Sequence, residues 1–516
     1  MGISFSIVPA SILQPLFYAE VSNSKAAGGV TARPTLLIGQ ALGTGFTANV
    51  PARLFGLGTA NTLYRPGSHL ARMVKVYMDA DPNAEIWCLP VADNGTTKAA
   101  KTITLVGTST AAGTLNLYIA GQKLAISVAT NKTASQIGDL IAAALGIDEA
   151  AAAALGSTFP VTAVNTSGAV ALTARNAGTL GNQIDVRCNY LGDAASEFYP
   201  AGITITELPN GTYVSLTGGA TDPTLTTAIA NMGDKRFSYI GHGYGVSGSG
   251  LPVTLLKAEM ADSTAGRWGP MRRVYGGCYS GIRGTATALA AITLPNDPHA
   301  AFIGIEGTPT PPWELGAMYA ARAAGSFRND PARPLNTLEL VGCLPPWDMD
   351  QMVWSEREQL LGLGYTTTFV DASGTVRIQR AVTSYTTTSL GTADASYRDA
   401  TTPATLDYLL TELENIVAAK YSRVKLVSDG TQVGPGQAVV TPSMIKAEIV
   451  AAYRKWERLA IVENTDTFAR LLVVERNEAD PNRVDVLFPP DLANSLHILA
   501  VLNEFRLQYS NEELAA

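Results

Sequence analysis

ARPTLLIGQA (residues 32–41), GSHLARMVKVYM (67–78) and EIWCLPVAD (85–93) decide the fold. The first and third are short, nearly continuous apolar runs, the pattern of buried strands. The middle run places Leu70, Met73, Val74 and Tyr77 on one face of a helix. A strand, a helix and a strand in that order make a β-α-β unit. The alternation resumes downstream, where KRFSYIGHG (235–243), RRVYGGCYS (272–280) and AAFIGIEG (300–307) read as strands. LPVTLLKAEMAD (251–262), GIRGTATALAAI (281–292) and WELGAMYAARAAG (313–325) read as the helices between them. Strands spaced by helices imply a mostly parallel sheet covered on both faces.

Between the two α/β pieces, residues 97–221 have a different pattern. KTITLVG, TLNLYIAG, QKLAISVA, AVALTARN, NQIDVRC, GITITEL and GTYVSLTG alternate at period two between Gly, Asn and Thr turns, which predicts a β-rich insertion. One helix is expected inside it, because Thr133 and Gln136 have capping-box spacing before IGDLIAAAL. From Thr102 to Gly181 only six residues are charged, Lys123, Lys132, Asp139, Asp148, Glu149 and Arg175, and this neutrality suits a decorating module better than a substrate site. After LPPWDM (344–349) a third, α+β region is expected. It should open with a β-hairpin turning at Asp371 to Gly374. A helix with Thr402 as cap, Pro403 in its first turn and Leu406, Leu409, Leu410, Leu413, Ile416 and Val417 on one face should follow. A second helix starts at Thr441-Pro442, with Ile445, Ile449, Tyr453, Trp456 and Leu459 on its stripe. RVDVLFPP and SLHILAVLNEFRLQY should be the last strands.

With 516 residues the chain has room for several cores. Its 16% of charged residues is below the usual ~25%, so copies repel one another less. A net charge of −7 with no basic block argues against a nucleic-acid partner. No apolar run reaches the ~18 residues of a spanning helix, so no membrane partner is expected. The opening MGISFSIVPASILQPLFY lacks a basic n-region and a cleavage site, so the protein is expected to stay in the cytosol. Cys88, Cys188, Cys278 and Cys343 are too dispersed for a metal pair or a disulfide framework, and read as buried thiols.

The search for chemistry returns little. His69, His242, His299 and His497 are each alone, so no imidazole metal site is expected. His242, in Gly241-His242-Gly243-Tyr244-Gly245, follows a predicted strand where α/β folds place active groups. Its nearest candidate nucleophile lies in Gly277-Cys278-Tyr279-Ser280-Gly281, where Tyr279 occupies the position a nucleophile elbow gives to serine. The glycine-rich stretch 241–250 lacks both the P-loop and the dinucleotide spacing. No catalytic residue, cofactor or metal is therefore expected. Asp348 with Asp350, and Glu412 with Glu414, read as solvated faces. Arg267, Arg272 and Arg273 could form a basic interface patch between subunits.

Residues 1–26 carry β-formers, Ile12, Leu13, Leu16, Phe17, Tyr18 and Val21, followed by a small and polar stretch from Ser22 to Gly29. An unpaired strand is a liability, so it either folds back onto its own sheet or is given to another subunit. At the other end, Asp485-Val-Leu-Phe-Pro-Pro-Asp-Leu492 and Leu499-Ala-Val-Leu-Asn-Glu-Phe-Arg-Leu-Gln-Tyr509 closely resemble the C-terminal end of tail sheath proteins of Mu-like myophages. Ile7-Val-Pro-Ala10, Gln14-Pro-Leu-Phe-Tyr-Ala-Glu20 and Asn23-Ser24 are similar to the family's N-terminal arm. One position departs from it: Leu16 stands after Pro15 where the family usually has glycine.

The resemblance implies a multidomain α/β and α+β chain. Residues 1–26 would be a linking arm, and 27–96 with 222–345 a discontinuous subtilisin-like domain without protease residues. Residues 97–221 would be an outward β-rich insertion, 346–500 an α+β domain facing the tail tube, and 501–516 a second arm. It implies a structural subunit, not an enzyme, that polymerises as stacked six-fold rings around the tail tube. Contraction would drive that tube through the host envelope, with tube, baseplate and terminator proteins as further partners. The location would be the virion tail, with assembly in the host cytoplasm. On this reading Leu16, Phe17, Tyr18, Glu20 and Val21, and Glu504, Phe505, Arg506, Leu507 and Tyr509, are exchanged between subunits as added strands. The competing readings are a surface adhesin, which should carry a signal peptide, and a degenerate subtilisin-like hydrolase, which should react with a fluorophosphonate.

Overall fold

The run at 35–41 forms a strand because both of its faces are covered: β1 (Thr35–Ala41) is buried at every position, as an inner strand of a parallel sheet must be. In the computed structural model, which describes residues 33–93, 97–245 and 252–508, β1 pairs in parallel with β3 (Ile86–Ala92) and with β12 (Tyr239–His242). The sheet continues from β12 through β13 (Gly277–Arg283), β14 (Ala300–Ile305) and β15 (Tyr365–Val370) to β16 (Val376–Arg380). At its other edge β2 (Ala52–Leu54) lies against β3. Only the two outermost joints are antiparallel.

The helices around this sheet are α1 (Leu57–Tyr64), α2 (His69–Ala80), α5 (Thr226–Ala230), α6 (Pro252–Met260), α7 (Ala286–Ala290), α8 (Pro312–Phe327) and α9 (Trp354–Gly362). Helix α2 begins where the Ser68 hydroxyl accepts a hydrogen bond from the Ala71 amide. It packs on α8, and both lie over β1. The helix expected over 281–292 shrinks to α7, because β13 continues through Arg283 before the chain turns.

The hairpin expected in the third region belongs instead to the large sheet. Strand β15 runs parallel to β14, with Phe302 opposite Tyr365, so the sheet crosses the expected division at 345/346. A hairpin's turn chemistry is local and carries no information about which sheet its outer edge joins. The turn itself is as read: the Asp371 carboxylate accepts from the Ser373 and Thr375 amides, and Gly374 takes a positive φ.

The insertion forms two antiparallel sheets. One has the order β10 (Ile203–Ile205), β4 (Ala100–Gly107), β8 (Ala169–Ala174), β7 (Val161–Thr166). The other has the order β11 (Tyr213–Ser215), β9 (Asp185–Cys188), β5 (Gly113–Ile119), β6 (Gln122–Val128). Strand β7 was not expected, and it joins β8 through Ser167-Gly168, both at positive φ as a tight hairpin turn requires. Helix α3 (Ala134–Leu145) has the expected capping box, with Thr133 and Gln136 bonded reciprocally, and α4 (Glu149–Ala154) follows. The buried side chains of the insertion are continuous with those of the large sheet.

A second, separate core forms beyond Leu409 from α10 (Thr401–Tyr421), α11 (Pro442–Arg458) and α12 (Thr465–Leu471). Two short ladders accompany it, β17 (Lys425–Leu426) with β18 (Val439–Val440), and β19 (Val473–Arg476) with β20 (Val484–Leu487). Helix α11 starts as expected, the Thr441 hydroxyl accepting from the Met444 amide. Helix α10 does not: Ala400 occupies the cap position and Thr402 lies inside the helix. Its expected leucine stripe is also only partly realised, because Asp407 and Thr411 are buried while Val417 is exposed. Among the described residues no helix is long and apolar enough to cross a membrane, and no group of His, Cys, Asp and Glu side chains could hold a metal. The four cysteines are buried and free.

Candidate assembly surface

The second core explains the run 485–492 residue by residue. Tyr453 stacks on Phe468 with ring centroids 3.7 Å apart, and Phe488 meets Phe468 and Trp456 edge-on. The Tyr453 hydroxyl donates to the Glu463 carbonyl at 2.8 Å and accepts from the Asp491 amide at 3.0 Å. Leu492 bridges to Val462, and the Ala493 amide donates to the Ile461 carbonyl at 3.1 Å. The chain is pinned as far as residue 493. Beside it β19 and β20 form a sheet of two strands whose outer edges meet no further strand among the described residues. Such a pair is marginal alone, and it leaves Val473, Val486 and Leu487 in solvent.

Beyond residue 493 the packing stops. The expected strand over 495–509 is not formed within the chain: residues 493–508 are in no strand or helix. No backbone hydrogen bond joins residues 494–508 to another described residue. Leu496, Ile498, Leu499, Val501, Leu502, Phe505 and Leu507 are all exposed, Leu507 to 98%. His497 tethers the segment: its Nδ1 lies 3.0 Å from Asn336 Nδ2 and its Nε2 3.2 Å from Asp399. Burial lowers the His497 pKa against the opposing pull of that carboxylate. From Asn503 to Gln508 the sequence alternates, so that in an extended conformation Phe505 and Leu507 would share one face and Glu504, Arg506 and Gln508 the other. A segment outside any strand or helix with apolar residues at every second position has the pattern of an added strand.

Of the residues expected to be exchanged, Glu504, Phe505, Arg506 and Leu507 are exposed, with an Arg506–Glu504 ion pair at 4.0 Å. Leu16, Phe17, Tyr18, Glu20, Val21 and Tyr509 lie outside the described residues. The basic trio does not form a patch. Arg267 is fully buried, donating to the carbonyls of Gly233 and Lys235. Arg272 binds Asp234 and Glu259, each at 2.8 Å. Arg273 alone projects outward, 3.6 Å from Glu414. A guanidinium beside its own chain's carbonyls and carboxylates is already satisfied. Of the hairpin β19–β20, the strand expected in RVDVLFPP forms as β20, whereas β19 is the partner that sequence reasoning missed, although LVVER (472–476) holds two adjacent valines of strand type.

The histidine and the serine of the hydrolase reading are core residues. His242 is buried, which pushes its pKa down to about 4, and its Nδ1 has no hydrogen-bond partner. Ser280 Oγ is likewise buried without a partner. Among the described residues no carboxylate orients this imidazole, so the relay of a serine hydrolase is not assembled here. The flanking glycines have a packing role. A Cβ on Gly243 would fall 2.4 Å from Trp313, and one on Gly281 2.5 Å from Leu315, so both let α8 sit directly on the sheet.

Residues 218–384 match the phage tail sheath protein central domain and residues 392–506 match the phage tail sheath C-terminal domain. The tail sheath protein of the Mu-like prophage FluMu of Haemophilus influenzae is 34% identical over 515 residues, covering 98% of this chain and 100% of that one. Two solved structures are similar at low identity. The sheath tail protein of Listeria innocua (13% identity, 90% of this chain and 93% of that one) superposes with a TM-score of 0.47. That of Desulfitobacterium hafniense (11% identity, 94% and 97%) does so at 0.45.

Proposed function

The chain belongs to the phage tail sheath proteins, and from that premise we propose that its copies join into a helical tube by exchanging terminal strands. As a member it is a structural subunit of a virion tail that self-assembles. The observation that carries the exchange is the tail from 494 to 508, in no strand or helix with its apolar side chains exposed, beside a two-stranded hairpin whose outer edges meet no further strand among the described residues. The ladder positions open on β19 or β20 are complementary to such a strand from a neighbour, and residues 1–26 supply a second one. Joints made this way connect identical subunits head to tail without closing, which generates a helix.

In the full proposal the subtilisin-like domain comprises 27–96 and 222–345 together with the β15–β16 hairpin that extends its sheet, with residues 97–221 facing outward and the C-terminal module facing an inner tube. Stacked six-fold rings start extended and relax to a shorter, wider tube. The energy comes from the difference between two packings, since neither the sequence nor the described residues offer a nucleotide-binding motif. Tube, baseplate and terminator proteins are the further partners, and assembly takes place in the host cytoplasm. Deleting residues 1–26 should leave a folded monomer that forms no tubes. Sheath-like tubes of the deleted protein on electron micrographs would disprove the exchange.

A further inference from the structure

The chain has two cores, and the joint between them is polar. Helix α10 spans it: Ala400 and Ala404 pack on the core of the large sheet, whereas Leu409, Leu413 and Ile416 pack on the C-terminal core. Between these contacts the helix turns Asp407 and Thr411 inward. Two arginines meet them. Arg33, two residues before β1, lies 3.5 Å from Asp407 Oδ2. Arg236, three residues before β12, binds Asp407 Oδ1 and the Thr411 hydroxyl. Strands β1 and β12 are parallel neighbours, with Thr35 opposite Tyr239, so both guanidiniums emerge from the same end of the sheet. The Asp407 side chain keeps only 6% of its exposure, and Thr411 Oγ1 also donates to it at 3.1 Å. The Arg33 guanidinium lies 5.5 Å from the Tyr408 ring centroid, which fixes a second direction.

An apolar joint tolerates sliding, because dispersion and burial are non-directional. A carboxylate held between two guanidiniums does not, since charge-assisted hydrogen bonds need both distance and angle. Arg33 also stands at the root of the N-terminal segment, while α10 carries the module with the open hairpin. We propose that Asp407, seated between Arg33 and Arg236, is the clasp that sets the orientation of the strand-accepting module relative to the root of the donated arm. The orienting role stands on the geometry of the joint alone, and its consequence for assembly rests on the strand-exchange reading.

Nitroxide labels at Glu358→Cys on α9 and Ala451→Cys on α11 report the orientation in the full-length monomer, because the four native cysteines are buried. The unaltered joint should give one narrow distance by pulsed electron spin resonance. Asp407→Asn and Arg33→Gln should each broaden it about twofold and raise the critical concentration for tubes about tenfold, the scale of one charge-assisted hydrogen bond. The double variant should be no worse than Asp407→Asn alone, because that substitution already removes the carboxylate that Arg33 binds. Arg33→Lys, which keeps the charge, should restore most of the effect, and Arg273→Ala, at an exposed pair, should change nothing. A narrow distance in Asp407→Asn overturns the clasp. A broad distance with tubes at the original concentration overturns its part in assembly. Failure of the unaltered chain to form tubes would count against the strand-exchange reading, and the distance would still decide the clasp.

Discussion

Arg187, in the insertion, is fully buried, whereas Leu507, in the C-terminal tail, is 98% exposed. Each inverts the usual distribution of its residue type, and the reasons differ. Arg187 makes a bidentate pair with Asp185 at 2.9 and 3.0 Å, donates to the Gly307 carbonyl, and lies 4.3 and 4.5 Å from the ring centroids of Trp347 and Tyr213. Asp185 also accepts from Arg283 at 3.2 Å. Gly307, Trp347 and Arg283 lie outside the insertion, so a buried charge keys it to the sheet with every partner in one chain. Leu507 has no such cover among the described residues. Charge is inside where the chain satisfies it, and apolar surface is outside where the described chain leaves it uncovered, as the proposed exchange requires.

Breaking the tail should therefore affect assembly and spare the fold. Phe505→Asp with Leu507→Asp removes the apolar face of the donated strand, and burying each such side chain contributes about 1.5–3 kcal/mol. Tubes should vanish from pelleting assays and micrographs. The unfolding free energy from chemical denaturation should stay within about 0.5 kcal/mol of the original, as for other surface changes. Tubes of normal length from this variant would remove the tail from the mechanism.

The opposite outcome is expected at the buried pair. Asp185→Asn leaves Arg187 and Arg283 facing each other without a counter-charge, which costs about 3–5 kcal/mol for a buried ion pair broken on one side. Denaturation followed by tryptophan fluorescence, to which Trp347 beside Arg187 contributes, should register it as an early loss of the insertion's seat. A variant as stable as the parent would mean that the insertion is held by its apolar contacts alone.

Acid separates the two regions more gently. His69 stacks on Trp313 in the body with neither ring nitrogen hydrogen-bonded, and its backbone amide donates to Asn176 of the insertion at 3.1 Å. Burial pushes its pKa down to about 3, and that of His242 to about 4. Both folded values lie below the unfolded 6.5, so the unfolded chain binds more protons. The neutral-ring contribution is complete above pH 6.5 and shrinks as pH falls towards the folded values, by on the order of 1 kcal/mol per histidine per unit. His69→Phe should roughly halve the histidine part of that slope between pH 6.5 and 5 in denaturation midpoints. An unchanged slope would place the acid sensitivity elsewhere.

How much could be read beforehand follows the same division. The β-α-β run was legible because a strand buried on both faces has no room for polar side chains, and the Thr133 box because capping is decided within four residues. Tertiary pairing was not. Hairpin 365–380 looks the same whichever sheet its edge joins, and β7 was obscured by its polar end, Asn165-Thr166. Asp407 on a helix reads as a solvated charge until Arg33 and Arg236, more than 170 residues away in sequence, are brought against it. The tail reads as a strand from its alternation, and the structure gives half of that answer: the pattern is present and no strand pairs with it among the described residues. The basic trio failed for the converse reason, since Arg267 and Arg272 are satisfied at home.

The smallest expected effect tests whether the tail acts as a strand or as a charged hook. In an extended segment Glu504 lies on the face opposite Phe505 and Leu507. If backbone bonds and the apolar face make the joint, Glu504 points to solvent there, and its 4.0 Å pair with Arg506 is too loose and exposed to contribute more than about 0.5 kcal/mol. Glu504→Gln should then raise the critical concentration for tubes less than about twofold, a limit set by so weak a pair. It should also leave the salt dependence of assembly unchanged. A large rise that high salt abolishes would show instead that the tail is held by charge. The alternation from Asn503 to Gln508 would then be a solubility pattern, with the donated strand to be sought nearer Leu496 to Leu502.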